Sequence, residues 1–153
     1  MITIKTGDLL NADDTIIAHQ VNCCGEYGGL AAAVFERFPR AYADYGQIIH
    51  RIHTAGGKGW ALLGHAQLTG QEDSHIICNL FGQFYPGADY RPQELEKALQ
   101  KLAEVAKDTG YSVALPYKLS CGICGGDWNE VLRIIERTME GVNCVIYKRE
   151  GDE

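Results

Sequence analysis

Twice in this chain an apolar, strand-like run gives way to a glycine-rich loop and then to a helical pattern. In the first case residues 15–21 lead through Asn-Cys-Cys-Gly-Glu-Tyr-Gly-Gly to a helix from Leu30. In the second, residues 112–115 lead through Pro-Tyr-Lys-Leu-Ser-Cys-Gly-Ile-Cys-Gly-Gly-Asp to a helix from Trp128. A helix after a strand carries the chain back to where the next strand can run parallel. Repeated units of this kind give an α/β fold with a mostly parallel sheet and helices on both faces.

The rest of the pattern agrees. Residues 2–5 alternate as an edge strand does, and residues 74–80 and 144–147 are apolar runs of strand length. Residues 30–38 read as a helix ended by Pro39, and residues 42–52 as a second helix. Residues 55–59 form a glycine turn, residues 60–63 start a weak strand that continues at 66–68, and residues 81–90 are an aromatic loop. Pro92 opens a long helix whose apolar positions Leu95, Ala98, Leu99, Leu102, Val105 and Ala106 recur at helical spacing, with Gly110 as its cap. Asp127 caps a helix with a stripe of Trp128, Val131, Leu132, Ile135 and Met139. A chain of 153 residues suits one domain, expected over residues 1–149, with residues 150–153 as a frayed acidic tail.

Net charge decides the kind of partner. At −6, the chain lacks the basic face that binding a nucleic-acid polymer needs. A single small anion remains possible, because backbone N–H groups can hold one without any lysine. No apolar run reaches the length of a membrane span, and the N-terminal residues read as a strand rather than a signal peptide. The expected location is the cytoplasm, with six reduced cysteines.

Chemistry concentrates in the two loops. Glycines let backbone N–H groups approach a ligand closely, and two such loops facing each other would grip a diphosphate from both sides. Loops of this kind also serve as plain tight connections, and neither matches the Walker or GxGxxG spacing. Cys121 and Cys124 form a CxxC, which raises a zinc or redox alternative. With Cys23 and Cys24 they would make four ligands if the loops meet. Adjacent cysteines are poor zinc spacing, and two glycines separate this CxxC from its helix. His19, at the end of a strand before a glycine loop, is either satisfied within the core or placed to act as acid or base.

Gly7-Asp8-Leu9-Leu10, Ile17-Ala18-His19-Gln20-Val21-Asn22-Cys23, Phe38-Pro39, Leu62-Leu63-Gly64, Ile77-Cys78-Asn79-Leu80-Phe81 and the stretch from Ser120 to Trp128 resemble the landmarks of a macrodomain. The match runs in order along essentially the whole chain. It is similar to the branch of ADP-ribose-1''-phosphate phosphatase-like and ADP-ribosyl hydrolase macrodomains.

The resemblance implies a three-layer α/β/α fold with a mixed, mostly parallel central sheet and a cleft for ADP-ribose or a derivative, free or on an ADP-ribosylated macromolecule. It implies that Asp8 with Leu9 reads the adenine and that Asn22 bonds the distal ribose. Gly28, Gly29 and Leu30 would line the first loop, and Ser120, Cys121, Gly122, Ile123 and Cys124 would wrap the diphosphate. His19, with Asn22 orienting the ribose, is the implied catalytic residue for cleavage at the distal ribose; no metal or other cofactor is required. Three positions depart from the pattern. The first glycine loop is one residue short, the place of a lysine used by some hydrolases holds Gly82 or Gln83, and the place of its partner aspartate holds Cys124. The same pocket therefore also fits a reader that binds ADP-ribose and turns over nothing.

Overall fold

Side chains alternate along the central strands, and that alternation builds two cores, one on each face of a sheet. A computed structural model describes residues 1–70 and 73–152 of the chain. Its strands are β1 (Ile2–Thr6), β2 (Ile16–Val21), β3 (Ala66–Leu68), β4 (Ile76–Phe81), β5 (Val113–Pro116) and β6 (Cys144–Lys148). Its helices are α1 (Gly29–Arg37), α2 (Pro39–Thr54), α3 (Pro92–Thr109) and α4 (Trp128–Thr138). Strand order is β1-β6-β5-β2-β4-β3. Every pairing is parallel except β3 against β4, so the sheet is mixed and mostly parallel.

On β2, Ile16 and Ala18 join α3 and α4 in one core, while Ile17 and Val21 join α1 and α2 in the other. Cys78 and Leu80 of β4 divide from Ile77 and Phe81 in the same way. A strand covered on both faces is apolar at most positions, which explains the nearly continuous apolar runs in its sequence. Helix α3 contributes Leu95, Ala98, Leu99 and Leu102, all fully buried. Burying a side chain of that size contributes about 1.5–3 kcal/mol relative to leaving it exposed. No helix among the described residues is long and apolar enough to cross a membrane.

Some local expectations differ from the structure. Residues 60–63 do not begin a strand: Trp60–Leu62 is a 3-10 turn between Gly59 and Gly64, both at φ +87°. The Trp60 ring stacks on Phe84, with centroids 3.5 Å apart, and that packing outweighs the strand preference of its neighbours. The second helix starts at Pro39, earlier than residue 42, because proline suits the first helical position as well as it ends the helix before it. At the tail, residues 149–152 form a turn. The Arg149 N–H donates to Asp152 Oδ2 at 3.0 Å, the Asp152 N–H donates to the Arg149 carbonyl at 3.1 Å, and Gly151 takes φ +90°. Glu153 lies outside the described residues.

Candidate functional site

The parallel strands β2, β4 and β5 end side by side, and the loops that leave them surround a cleft of about 720 Å³. This is where ligands sit in open α/β sheets. One wall comes from residues after β2, namely Asn22, Glu26, Tyr27, Gly28, Gly29, Leu30 and Ala31. The opposite wall is residues 116–124, and the floor holds Gln20 and Gln83.

The first wall is the open end of α1. Its N-cap is Gly28, which has no side chain to offer, and the first intrahelical bond runs from the Ala32 N–H to the Gly28 carbonyl at 3.3 Å. No side chain caps the N–H groups before it, and the first turn of a helix leaves such donors without an intrahelical partner. Asn22 shapes this wall. Its Nδ2 donates to the Glu26 carbonyl at 2.7 Å, and its Oδ1 accepts the Cys24 N–H at 3.0 Å. The buried Tyr45 hydroxyl accepts the Gly25 N–H at 3.1 Å and donates to Asn22.

The second wall is a backbone cradle. Lys118 and Ser120 are held at φ +58° and +68°, a region non-glycine residues enter only when surrounding contacts hold them there. Turn bonds from Cys121 to Lys118, from Gly125 to Gly122 and from Gly126 to Ser120 close the loop at 2.9–3.2 Å. The N–H groups of Gly122, Ile123 and Cys124 have no acceptor among the described residues. Backbone donors seek a partner, and three successive ones curved around a cleft form an anion seat. At the end of α4 the Asp127 carboxylate accepts the Asn129 N–H at 3.1 Å, and no residue of that helix lines the cleft.

The candidate residues divide accordingly. Asn22, Gly28, Gly29, Leu30, Ser120, Cys121, Gly122, Ile123 and Cys124 meet at the cleft. Asp8 and Leu9 do not line it: Asp8 caps a short turn by accepting the Leu10 N–H at 3.0 Å, and Leu9 is buried. His19 is fully buried on the α1–α2 face of β2, edge-on to Phe35, and lines no part of the cleft. Burial lowers its pKa to about 4, so it carries no charge at neutral pH. Its placement matches the core alternative and not an acid or base in contact with a ligand.

Nor do the cysteines converge. Among the described residues no group of three or more His, Cys, Asp or Glu is placed to hold a metal ion. Cys23 Sγ donates to the Gln83 carbonyl, Cys24 Sγ to the Phe84 carbonyl and Cys121 Sγ to the Leu119 carbonyl. Burial pushes the Cys121 thiol up to about 11 and the Cys23 thiol up to about 12, opposite to the shift an attacking thiolate needs.

The structure adds cleft residues that sequence reasoning passed over: Gln20, Glu26, Tyr27, Tyr117, Lys118 and Asp152. Gln20 had a signal, being with His19 one of two adjacent polar residues in a strand whose other positions are apolar.

Comparison with known proteins places these features. The Macro domain family model matches residues 18–135. A DNA ADP-ribosyl glycohydrolase of Mycobacterium tuberculosis is 31% identical, over 99% of this chain and 43% of that protein. The chain thus spans less than half the length of that relative. An ADP-ribose 1''-phosphate phosphatase of Lodderomyces elongisporus is 26% identical, over 80% of this chain and 79% of that protein. Among solved structures, the macrodomain of Mycobacterium tuberculosis DarG superposes with a TM-score of 0.81 at 30% identity, over 96% of this chain and 97% of that one.

Proposed function

The chain belongs to the macrodomain family, and on that premise we propose that it binds ADP-ribose or an ADP-ribosyl derivative in this cleft and hydrolyses a bond at the distal ribose. One observation carries the reading. The acceptor-free N–H groups of Gly122, Ile123 and Cys124 and the uncapped end of α1 belong to segments that line the same cleft. A diphosphate between them would satisfy both walls, which explains how a chain of net charge −6 holds an anion. The relatives' names give the substrate class: one acts on ADP-ribosylated DNA, the other on ADP-ribose 1''-phosphate.

In this scheme the second loop seats the diphosphate, and Asn22, fixed by Glu26 and Cys24, keeps the first loop in place for the distal ribose. Gln20, Gln83 and Ser120 bring amide and hydroxyl groups to the floor. With His19 buried elsewhere, hydrolysis would rest on orientation of the sugar and water and on the N–H groups that stabilise charge near the diphosphate.

The same floor favours a second reading. The position at which some hydrolases carry a lysine holds Gly82 or Gln83, neither of them charged, and the hydrogen bonds of the Gln83 amide already engage both of its ends. A binder that recognises ADP-ribose without turnover fits this equally directly.

Calorimetric titration with ADP-ribose, with ADP as control, tests the binding reading. Release of phosphate from ADP-ribose-1''-phosphate, and of ADP-ribose from an ADP-ribosylated DNA oligonucleotide, separates enzyme from reader. Binding that needs the distal ribose is the expected result; no heat at high protein concentration would overturn the proposal. Location in the cytoplasm goes with this reading and with the six free cysteines, and fluorescence of a tagged chain checks it.

A further inference from the structure

Gln20 lines the cleft between its two walls, yet every hydrogen-bonding group of its side chain is engaged. Gln83 Nε2 donates to the carbonyls of Tyr85 at 2.6 Å and Gly87 at 3.2 Å. Two carbonyl partners fix that end of Gln83 as the donor, so its Oε1 must face Gln20. Gln20 therefore presents Nε2, which donates to Gln83 Oε1 at 2.9 Å and to Cys124 Sγ at 3.5 Å. Its Oε1 is left to accept the Ser120 hydroxyl at 3.0 Å. The chain of bonds runs one way, from the second loop through β2 to the loop after β4, and none of its members can turn round without setting oxygen against oxygen.

A second observation is independent of the bonds. A Cβ on Gly82 would lie 2.5 Å from Gln20 Oε1 and 3.0 Å from Leu95 Cδ1. The backbone beside Gln20 is thus kept bare where its amide passes.

We propose that Gln20 is a positioning residue that locks the residue 117–126 cradle to the residue 82–91 loop and so sets the width of the cleft. It acts through Ser120 and Gln83 rather than on the ligand. The inference takes the ADP-ribose reading as the source of its ligand, but its structural half stands without one.

Gln20→Met, Gln83→Met, the double variant and Gly82→Ala test it in two ways: calorimetry with ADP-ribose, and amide hydrogen exchange without ligand. Gln20→Met keeps the side-chain length and removes the bonds. It should weaken ADP-ribose binding about tenfold, the effect of losing about one buried hydrogen bond. Exchange should quicken in residues 82–91 and 117–126 together, with α2 unchanged. Gly82→Ala, which displaces the amide, should reproduce both effects. The double variant should be no weaker than the weaker single one, because either substitution breaks the same chain.

Gln20→Glu gives a further readout that a merely structural role would not move. It keeps the acceptor for Ser120 but sets an oxygen against Gln83 Oε1. Exchange should then quicken in residues 82–91 at neutral pH and slow again as the pH falls and the new carboxyl gains a proton. The proposal is overturned if Gln20→Met leaves either loop at wild-type exchange, if the losses add, or if Gln20→Glu shows no pH dependence. Should the wild-type protein take up no ADP-ribose, the ligand reading fails, and the exchange experiment alone still decides the role of Gln20.

Discussion

His19 on β2 and Asn79 on β4 are register partners, and the His19 Nε2–H donates to Asn79 Oδ1 at 2.6 Å. Asn79 fixes that direction, because its Nδ2 already donates to the Ala41 carbonyl at 3.2 Å and to Gln67 Oε1 at 3.0 Å. The bond ties two central strands, β3 and helix α2 through one buried amide. It leaves His19 Nδ1 buried without a partner. A histidine at this point of the fold belongs to the architecture under the first glycine loop, one residue along from the side chain that enters the cleft.

That burial makes the protein acid-sensitive. His19 has its pKa lowered from 6.5 to about 4, so between those values the unfolded chain binds a proton that the folded chain refuses. Its contribution is fully present above pH 6.5 and is lost as the pH falls toward 4. Between pH 7 and pH 5 the loss should be about 2 kcal/mol. Urea denaturation at both pH values, on wild type and His19→Gln, measures it. Equal pH dependence in the two proteins would show that His19 titrates normally.

The cradle glycines separate ligand effects from folding effects. A side chain at Gly122 would meet nothing within 4 Å, so Gly122→Glu should fold with wild-type stability. Its carboxylate would stand in the anion seat, and ADP-ribose binding should fall by a factor of about 100 or more, since like charges at close range repel strongly. Calorimetry on the folded variant checks this, and wild-type affinity would remove the diphosphate from this loop.

Gly126 is the opposite case. A Cβ there would lie 2.6 Å from the Ser120 carbonyl and 2.7 Å from the Tyr90 ring, which Glu130 holds through a hydrogen bond to the Tyr90 hydroxyl. Gly126→Ala should destabilise the fold by about 1–3 kcal/mol through overpacking. It should also weaken the ligand, because the Gly126 N–H that closes the loop on Ser120 must move. Thermal denaturation with and without ADP-ribose reports both; an unchanged melting temperature would mean that Tyr90 yields freely.

These outcomes mark what the sequence could and could not convey. Strands and long helices were legible because burial on two faces, or on one stripe, writes a period into the chain, as in residues 76–81 and in α3. The loops of the cleft were legible as glycine clusters between such elements. Trp60 was not, since its partner Phe84 lies far along the chain and nothing local announces the stack. His19 and Gln20 show the finer limit. They are adjacent polar residues in one strand, and only the alternation of faces, fixed by the sheet, sends the histidine into a core and the glutamine into the cleft.

Tyr45 offers the sharpest test of the first wall. Its ring stacks between Phe35 and Phe81, and its hydroxyl accepts the Gly25 N–H while donating to Asn22. Tyr45→Phe keeps the rings and removes only the oxygen. It leaves the Gly25 N–H without its acceptor, which should reduce stability by about 1–3 kcal/mol in urea denaturation. Freed from Tyr45, Asn22 and residues 24–26 lose their fixed shape on the side of the cleft assigned to the distal ribose. Affinity for ADP-ribose should therefore fall while affinity for ADP, which lacks that ribose, stays as in wild type. Equal losses for the two ligands would place the hydroxyl's influence on the diphosphate instead, and would reverse the assignment of the two ends of the cleft.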